Sequence, residues 1–302
     1  MIAFNKILCP TDLTPASDEV LRYATALANT YNATLLIAHC NPNLSPDQKS
    51  IQQTMDSVRR AIEKRIQNGL LINGYWQPIV LFGDPLEKIN RAAFEHEANL
   101  VVVGSNHGPV PARVLGSTAE SICHTSPCSV LVMHPGEYEA KPNKQGELKR
   151  ILVAHDFSAD AQLALQHAIS LSRVYESELH LIHVVSPHAK YESAFAPATV
   201  ADFGQLFEAE QRLNRVLVTE TTKWNEAKSS VSKGNPYNEI LEYARKQEID
   251  LICIGIKRSP LPLPRPFGTT VDRVLHQTRC PVLVARPSRG FSFDPKRRWN
   301  AI

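Results

Sequence analysis

No apolar run in this chain approaches the roughly eighteen residues of a membrane span, so insertion into a bilayer is not expected. The opening MIAFNKILCPTDL has no charged n-region followed by a long apolar h-region, and no secretory signal is expected there. The excess of positive charge is slight, with 33 Lys+Arg against 30 Asp+Glu and a formal net charge of +3. That is too little to point to nucleic acid or an anionic membrane as partner. Neither a Gly-x4-Gly-Lys-Ser/Thr phosphate loop nor a Gly-x-Ser-x-Gly elbow occurs, and no cysteine or serine is visibly set beside a base. No catalytic residue is therefore assigned. The six cysteines (Cys9, Cys40, Cys123, Cys128, Cys253, Cys280) contain no CxxC spacing and sit mostly in apolar text. They read as reduced core residues of a cytoplasmic protein. No short His/Cys spacing typical of zinc appears, which leaves a site built from His155, His180, His183 and His188 as a minority reading.

What the chain has is a long sentence said twice. Asn99 to Pro135 reads as a buried strand (Leu100 to Val103), a glycine at its carboxyl end (Gly104), a loop, a Gly116-Ser117-Thr118 helix start and a second buried strand (Val130 to Met133). Asp250 to Pro287 repeats it, with Gly255, Gly268-Thr269 and Cys280-Pro281-Val282-Leu283-Val284. Continuous apolar runs of this length, bounded by turn residues, fit strands covered on both faces of a parallel sheet. Asp156 stands 144 residues after Asp12 and His183 stands 144 after His39. Gly234-Asn235-Pro236 follows Gly83-Asp84-Pro85 at 151, and Cys280 follows Cys128 at 152. An offset that drifts only across loops is the mark of a duplicated domain. At 302 residues there is room for two domains of about 150 each. The polar, proline-flanked stretch Gly136 to Leu148 places a linker at 138–148, between domains at 1–137 and 149–290, with a tail at 291–302.

Each half alternates strands with helices. Lys6 to Pro10 is a first strand; Thr14 is an N-cap with Pro15 in the first helical turn; Thr34 to Ala38 is a second strand. Ile51, Met55, Val58, Ile62 and Ile66 form a helical stripe, and Pro78 to Phe82 is a third strand. The pattern predicts an α/β fold of two tandem, doubly wound, parallel five-stranded sheets. Ligands of such sheets bind outside the carboxyl ends of the strands where strand order reverses. The residues there are Pro10, Asp12, His39, Gly83 and Gly104, and again Ala154, Asp156, His183, Gly234 and Gly255.

The strand–Asp–hydroxyl turns (ILCPTDLT, ILVAHDFS), the Gly-x-Pro turns and the strand–Gly–loop–Gly-Ser/Thr–helix–CPVLV sentence resemble those of universal stress proteins, over nearly the whole chain. The resemblance implies a strand order of 3-2-1-4-5 in each half. It also implies a pseudo-twofold intrachain dimer through the last strands, with a homodimer as a further partner state. Part of that family binds ATP through Gly-x2-Gly-x9-Gly-Ser/Thr and an Asp after the first strand. The resemblance thereby adds Gly108, Gly116, Ser117 and Thr118 to the first half's nucleotide residues, and Arg258, Gly268, Thr269 and Thr270 to the second half's. Both copies depart from the motif. Three residues separate Gly104 from Gly108, and Gly116 follows Gly104 by twelve. In the second half Arg258 replaces the middle glycine, and the loop carries Pro260, Pro262, Pro264 and Pro266, none of which offers an N–H to phosphate.

Several residues stay open to two readings. Asp12 and Asp156 either contact a nucleoside or hold a turn. Ser117, Thr118, Thr269 and Thr270 either bind phosphate or cap helices, with phosphate favoured in the first half and capping in the second. His39, His183, His124 and His276 are read as structural. Phe195, Phe203, Leu206, Phe207, Leu213 and Val216 are more apolar than their helix needs, and either line a cavity or belong to the core. The leading expectation is a stress-response protein that binds ATP or a related nucleotide in at least one half, as a non-catalytic sensor with slow hydrolysis at most. The first alternative is a nucleotide-free scaffold or carrier of an apolar, lipid-like ligand in the second half. The second is a nucleotide-dependent transferase or hydrolase.

Overall fold

The computed structural model describes residues 3–42, 47–70, 72–105, 117–134, 148–186, 200–220, 227–256 and 269–287. The chain forms two compact units, one built on Ala3–Gly146 and the other on Glu147–Ile256 with Gly268–Ala285. Gly108, Gly116, Arg258, Gly268, Phe195, His188 and the 291–302 tail lie outside the described residues.

The first half runs β1 (Lys6–Pro10), α1 (Pro15–Tyr31), β2 (Thr34–Asn41), α2 (Gln48–Gln67), β3 (Trp76–Phe82), α3 (Pro85–Glu95), β4 (Leu100–Gly104), α4 (Ser117–Thr125) and β5 (Ser129–Met133). All pairings are parallel: β1 with β2 and β4, β2 with β3, and β4 with β5. The order is therefore β3-β2-β1-β4-β5, and the chain reverses direction across the sheet between β1 and β4. The central strands are apolar because helices cover both faces. Ile7, Leu8, Leu100, Val101 and Val102 are each fully buried, worth about 1.5–3 kcal/mol apiece against exposure. Helix α1 turns Val20, Leu21, Ala24, Leu27 and Ala28 inward; Thr14 caps its start through the Ser17 N–H and Pro15 fills its first position. On α2 only Val58 and Ile62 of the expected stripe are buried, while Met55 is 43 % exposed.

The second half repeats the plan with β6 (Arg150–Ala154), α5 (Ala159–Tyr175), β7 (Glu178–Val185), α6 (Val200–Glu220), β8 (Ala227–Lys233), α7 (Pro236–Lys246), β9 (Leu251–Gly255), α8 (Thr269–Gln277) and β10 (Val282–Ala285). Its parallel pairings give β8-β7-β6-β9-β10. Small devices recur as well. Asn99 Oδ1 accepts the Lys6 N–H at 3.2 Å, and Asp250 Oδ2 accepts the Lys149 and Arg150 N–H groups at 2.9 and 3.0 Å, so each first strand is tied at its start to the fourth. Helix α6 divides the residues expected to be core or cavity wall: Leu213 is core, Phe203 and Phe207 are 72 % and 63 % exposed, and Val216 lines a cavity. Strands β2 and β3 are longer than their apolar letters, because ladder pairing carries them through Asn41 and back to Trp76.

Candidate functional site

The turn after β1 is held by its own side chains. Thr11 Oγ1 accepts the Leu13 N–H at 3.0 Å and lies 2.9 Å from Ser17 Oγ. Asp12 Oδ1 accepts from the Thr14 N–H at 3.0 Å and from its hydroxyl at 2.6 Å. Partial burial works to raise the Asp12 pKa, but these bonds from Thr14, with help from Ser17, outweigh it and hold the carboxyl below its ordinary value. Asp12 is thus an anion fixed in place. Leu13 takes a left-handed φ of 64°, which a side chain adopts only where the surroundings enforce it. From β2, His39 Nδ1 donates to the Thr11 carbonyl at 3.0 Å. That bond ties the turn to the neighbouring strand.

Below this turn lies a cavity of about 440 Å³. Its walls are Pro10, Thr11 and Asp12 from the turn, Ala38 and Cys40 from β2, and Val103 and Gly104 from β4; Thr118, Ala119 and Ile122 of α4 close it, with Pro85 and Ile89 of α3. This is where the doubly wound sheet reverses. Most of the lining is apolar, and the polar groups converge at one end, as a small-molecule site requires. Of the nine residues expected from sequence, Pro10, Asp12, Gly104 and Thr118 line the cavity. Gly83 shapes the adjacent turn instead, at a φ of 114° that glycine alone tolerates. Ser117 opens α4. Thr11, Cys40, Ile89 and Ile122 were not singled out, since each reads in sequence as ordinary turn or core text. Cys40 is half-buried while the other five cysteines are buried, and all six are free. Burial and then Asp84 raise its thiol pKa, so it is no activated nucleophile.

In the second half the same corner is built differently. His155 stands where the first half has Thr11, and its Nδ1 accepts the Phe157 N–H at 3.2 Å, doing the job of the threonine hydroxyl. Asp156 Oδ1 accepts the Ser158 N–H, and His183 Nδ1 donates to the His155 carbonyl at 2.7 Å. Phe157 repeats the left-handed turn at φ 63°. At Gly255 the first turn of α5 packs on the strand itself: a Cβ there would lie 2.2 Å from the Asp160 carbonyl carbon and 2.6 Å from the Ala161 nitrogen. Gly255 is thus required for packing helix on strand. A cavity of about 420 Å³ does exist in this half, but it opens between the β6–α5 turn and α6. None of Ala154, Asp156, His183, Gly234, Gly255 or Thr270 lines it. The histidines do not converge on a metal: His180 Nδ1 pairs with the Tyr243 hydroxyl at 2.9 Å and His183 with a carbonyl. Among the described residues no group of three or more His, Cys, Asp or Glu could hold a metal ion. No described helix is long and apolar enough to cross a membrane.

A doubly wound parallel sheet present in two copies, with a cavity at the switch point of the first, defines a tandem α/β domain protein. The universal stress protein family matches residues 3–134 and 147–286, and the chain belongs to that family. A universal stress protein of Methanocaldococcus jannaschii is 26 % identical over 147 residues, 48 % of this chain and 85 % of the relative. Universal stress protein A homolog 2 of Coxiella burnetii is 29 % identical over 141 residues, 46 % of this chain and 94 % of the relative. Such relatives match about one half of the chain. A universal stress protein of Archaeoglobus fulgidus has the same fold along the chain, with a TM-score of 0.71 at 21 % identity, covering 94 % of this chain and 99 % of that one. A Pseudomonas aeruginosa protein described as a putative universal stress protein superposes with a TM-score of 0.67 at 17 % identity, covering 95 % and 94 %.

Proposed function

We propose that the first half binds ATP or a related nucleotide in the cavity below the β1–α1 turn, and that the protein uses this binding as a non-catalytic sensor in a cytoplasmic stress response. One observation carries the reading: Asp12, Gly104 and Thr118, expected from motif and fold to meet a nucleotide, line one cavity of about 440 Å³ at the sheet's switch point. In this reading the fixed Asp12 carboxylate accepts hydrogen bonds from ribose or adenine. The apolar wall of Val20, Ile89 and Val103 receives the base. Phosphate is received near the start of α4, where helix N–H groups lack intrahelical partners and Thr118 adds a hydroxyl. No general base is assigned, so occupancy rather than turnover is the output.

Calorimetric titration of the full chain with ATP and ADP tests this. Saturable binding that weakens about tenfold or more in Asp12→Ala and in Thr118→Trp is expected. No heat at millimolar nucleotide, or binding untouched by both substitutions, contradicts it. Turnover faster than buffer would move the reading to the transferase or hydrolase class.

A further inference from the structure

We propose that the second half carries a separate anion site, selective for a phosphate group, in the groove between the β6–α5 turn and α6. The inference goes beyond the nucleotide reading and does not depend on what occupies the first half.

The argument is a comparison of two helix starts. In the first half Arg65 of α2 reaches α1 and is spent there: its Nε meets Asp18 Oδ1 at 2.5 Å, and its Nη2 donates to the Leu13 carbonyl at 2.6 Å. In the second half the residue in Asp18's place is Gln162, 144 positions on, and the acid is gone. The groove of about 420 Å³ there is lined by Gln162, Ser158 and Ala159 on one side and by Arg212 and Arg215 of α6 on the other. Among the described residues, no carboxylate lies within salt-bridge distance of either guanidinium. Arg212 is held over the Phe157 ring at 4.1 Å, and that ring packs on His183 with centroids 4.4 Å apart, so one cation is pre-positioned by a rigid aromatic stack. Among the described residues Arg215 donates to the Gln211 carbonyl of its own helix alone.

The third wall is His155, 4 % exposed. Its Nδ1 accepts the Phe157 N–H, so the neutral ring carries its proton on Nε2, which is buried against the Gln162 side chain. Two guanidinium forks with no carboxylate partner among the described residues, the His155–Gln162 pair and the N-terminal turn of a helix thus converge on a groove whose described lining contains no acid. Asp156 is engaged by the Ser158 N–H at 3.0 Å, and Asp160, in the first turn of α5, does not line the groove. Planar forks in this number match the tetrahedral oxygens of phosphate better than a single carboxylate. The size fits a phosphate ester of modest length as well as the free ion.

Calorimetric titration of the full chain with inorganic phosphate and with glycerol 3-phosphate, at matched ionic strength, distinguishes ion from ester. Saturable binding of either supports the site, and the tighter of the two names its source. Roughly tenfold or greater weakening is expected in Arg212→Met/Arg215→Met. The same loss is expected in Gln162→Glu, which restores an acid for the arginines to spend themselves on while leaving them in place. If wild type gives no saturable heat at millimolar ligand, the proposal is overturned. It is equally overturned if both variants, folded by circular dichroism, bind as wild type does.

Discussion

The two β–α corners of this chain share a backbone and differ in what their side chains leave available. Both turns place a non-glycine residue in the left-handed region, both lock to the second strand through a histidine, and both cap the first helix with a hydroxyl. In the first half the hydroxyl of Thr11 is small, and the space under the turn opens as a cavity against Gly104 and Thr118. In the second half an imidazole replaces that hydroxyl, α5 lies against Gly255, and the groove is on the far side of the helix among arginines. A duplicated frame thus keeps its hydrogen-bonding skeleton while charge and space move from one side of a helix to the other. Skeleton and site are separable, and the substitutions that break them should behave differently.

The largest effect is expected at Gly255. An alanine Cβ would collide with the backbone of Asp160 and Ala161, which cannot step aside as a side chain can. Gly255→Ala should destabilise the second half by about 3 kcal/mol or more, read from denaturant unfolding.

Next comes acid. Burial lowers the His167 pKa from 6.5 to about 4, and the counterpart in the first half is Tyr23. The folded state holds this ring neutral down to about pH 4, so between about pH 4 and 6.5 the unfolded chain binds more protons. Stability then falls as pH drops from 6.5 towards 4 and changes no further below that, a loss of at most about 3 kcal/mol. His167→Tyr should flatten that part of the pH–stability curve; an unchanged curve would assign the acid sensitivity elsewhere.

The smallest effect concerns the end of the first helix in each half. Asn32 and Glu176 both sit at left-handed C-caps, with φ of 50° and 54°. Asparagine suits that conformation and glutamate does not, so Glu176→Gly should raise stability by about 0.5–1 kcal/mol while Asn32→Gly changes little. Thermal unfolding of the two variants decides it.

The frame was legible in the sequence because repetition and buried-strand runs are properties of single letters. LVVVG and LICIG read as central strands wherever they stand, and an offset of 144 carries Thr14 onto Ser158 as caps. The first half's candidate site was legible as a neighbourhood: Asp12, Gly104 and Thr118 line one cavity, while Gly108 and Gly116 lie outside the described residues. What could not be read was burial and pairing. Nothing in the letters of α6 says that Phe203 and Phe207 face solvent, or that Arg212 lies on Phe157, because both depend on how the helix rolls on its sheet. The exchange of Asp18 for Gln162 was visible in the alignment of the halves, but it gained meaning only once Arg65 was seen to need that acid.

The most direct test of a nucleotide in the first half uses Cys40, the one half-buried thiol of the six and part of the cavity wall. Its alkylation rate, measured by peptide mass spectrometry with and without ATP, should fall several-fold as nucleotide saturates, and Asp12→Ala should abolish the protection. An alkylation rate at Cys40 that is indifferent to millimolar ATP would contradict the account.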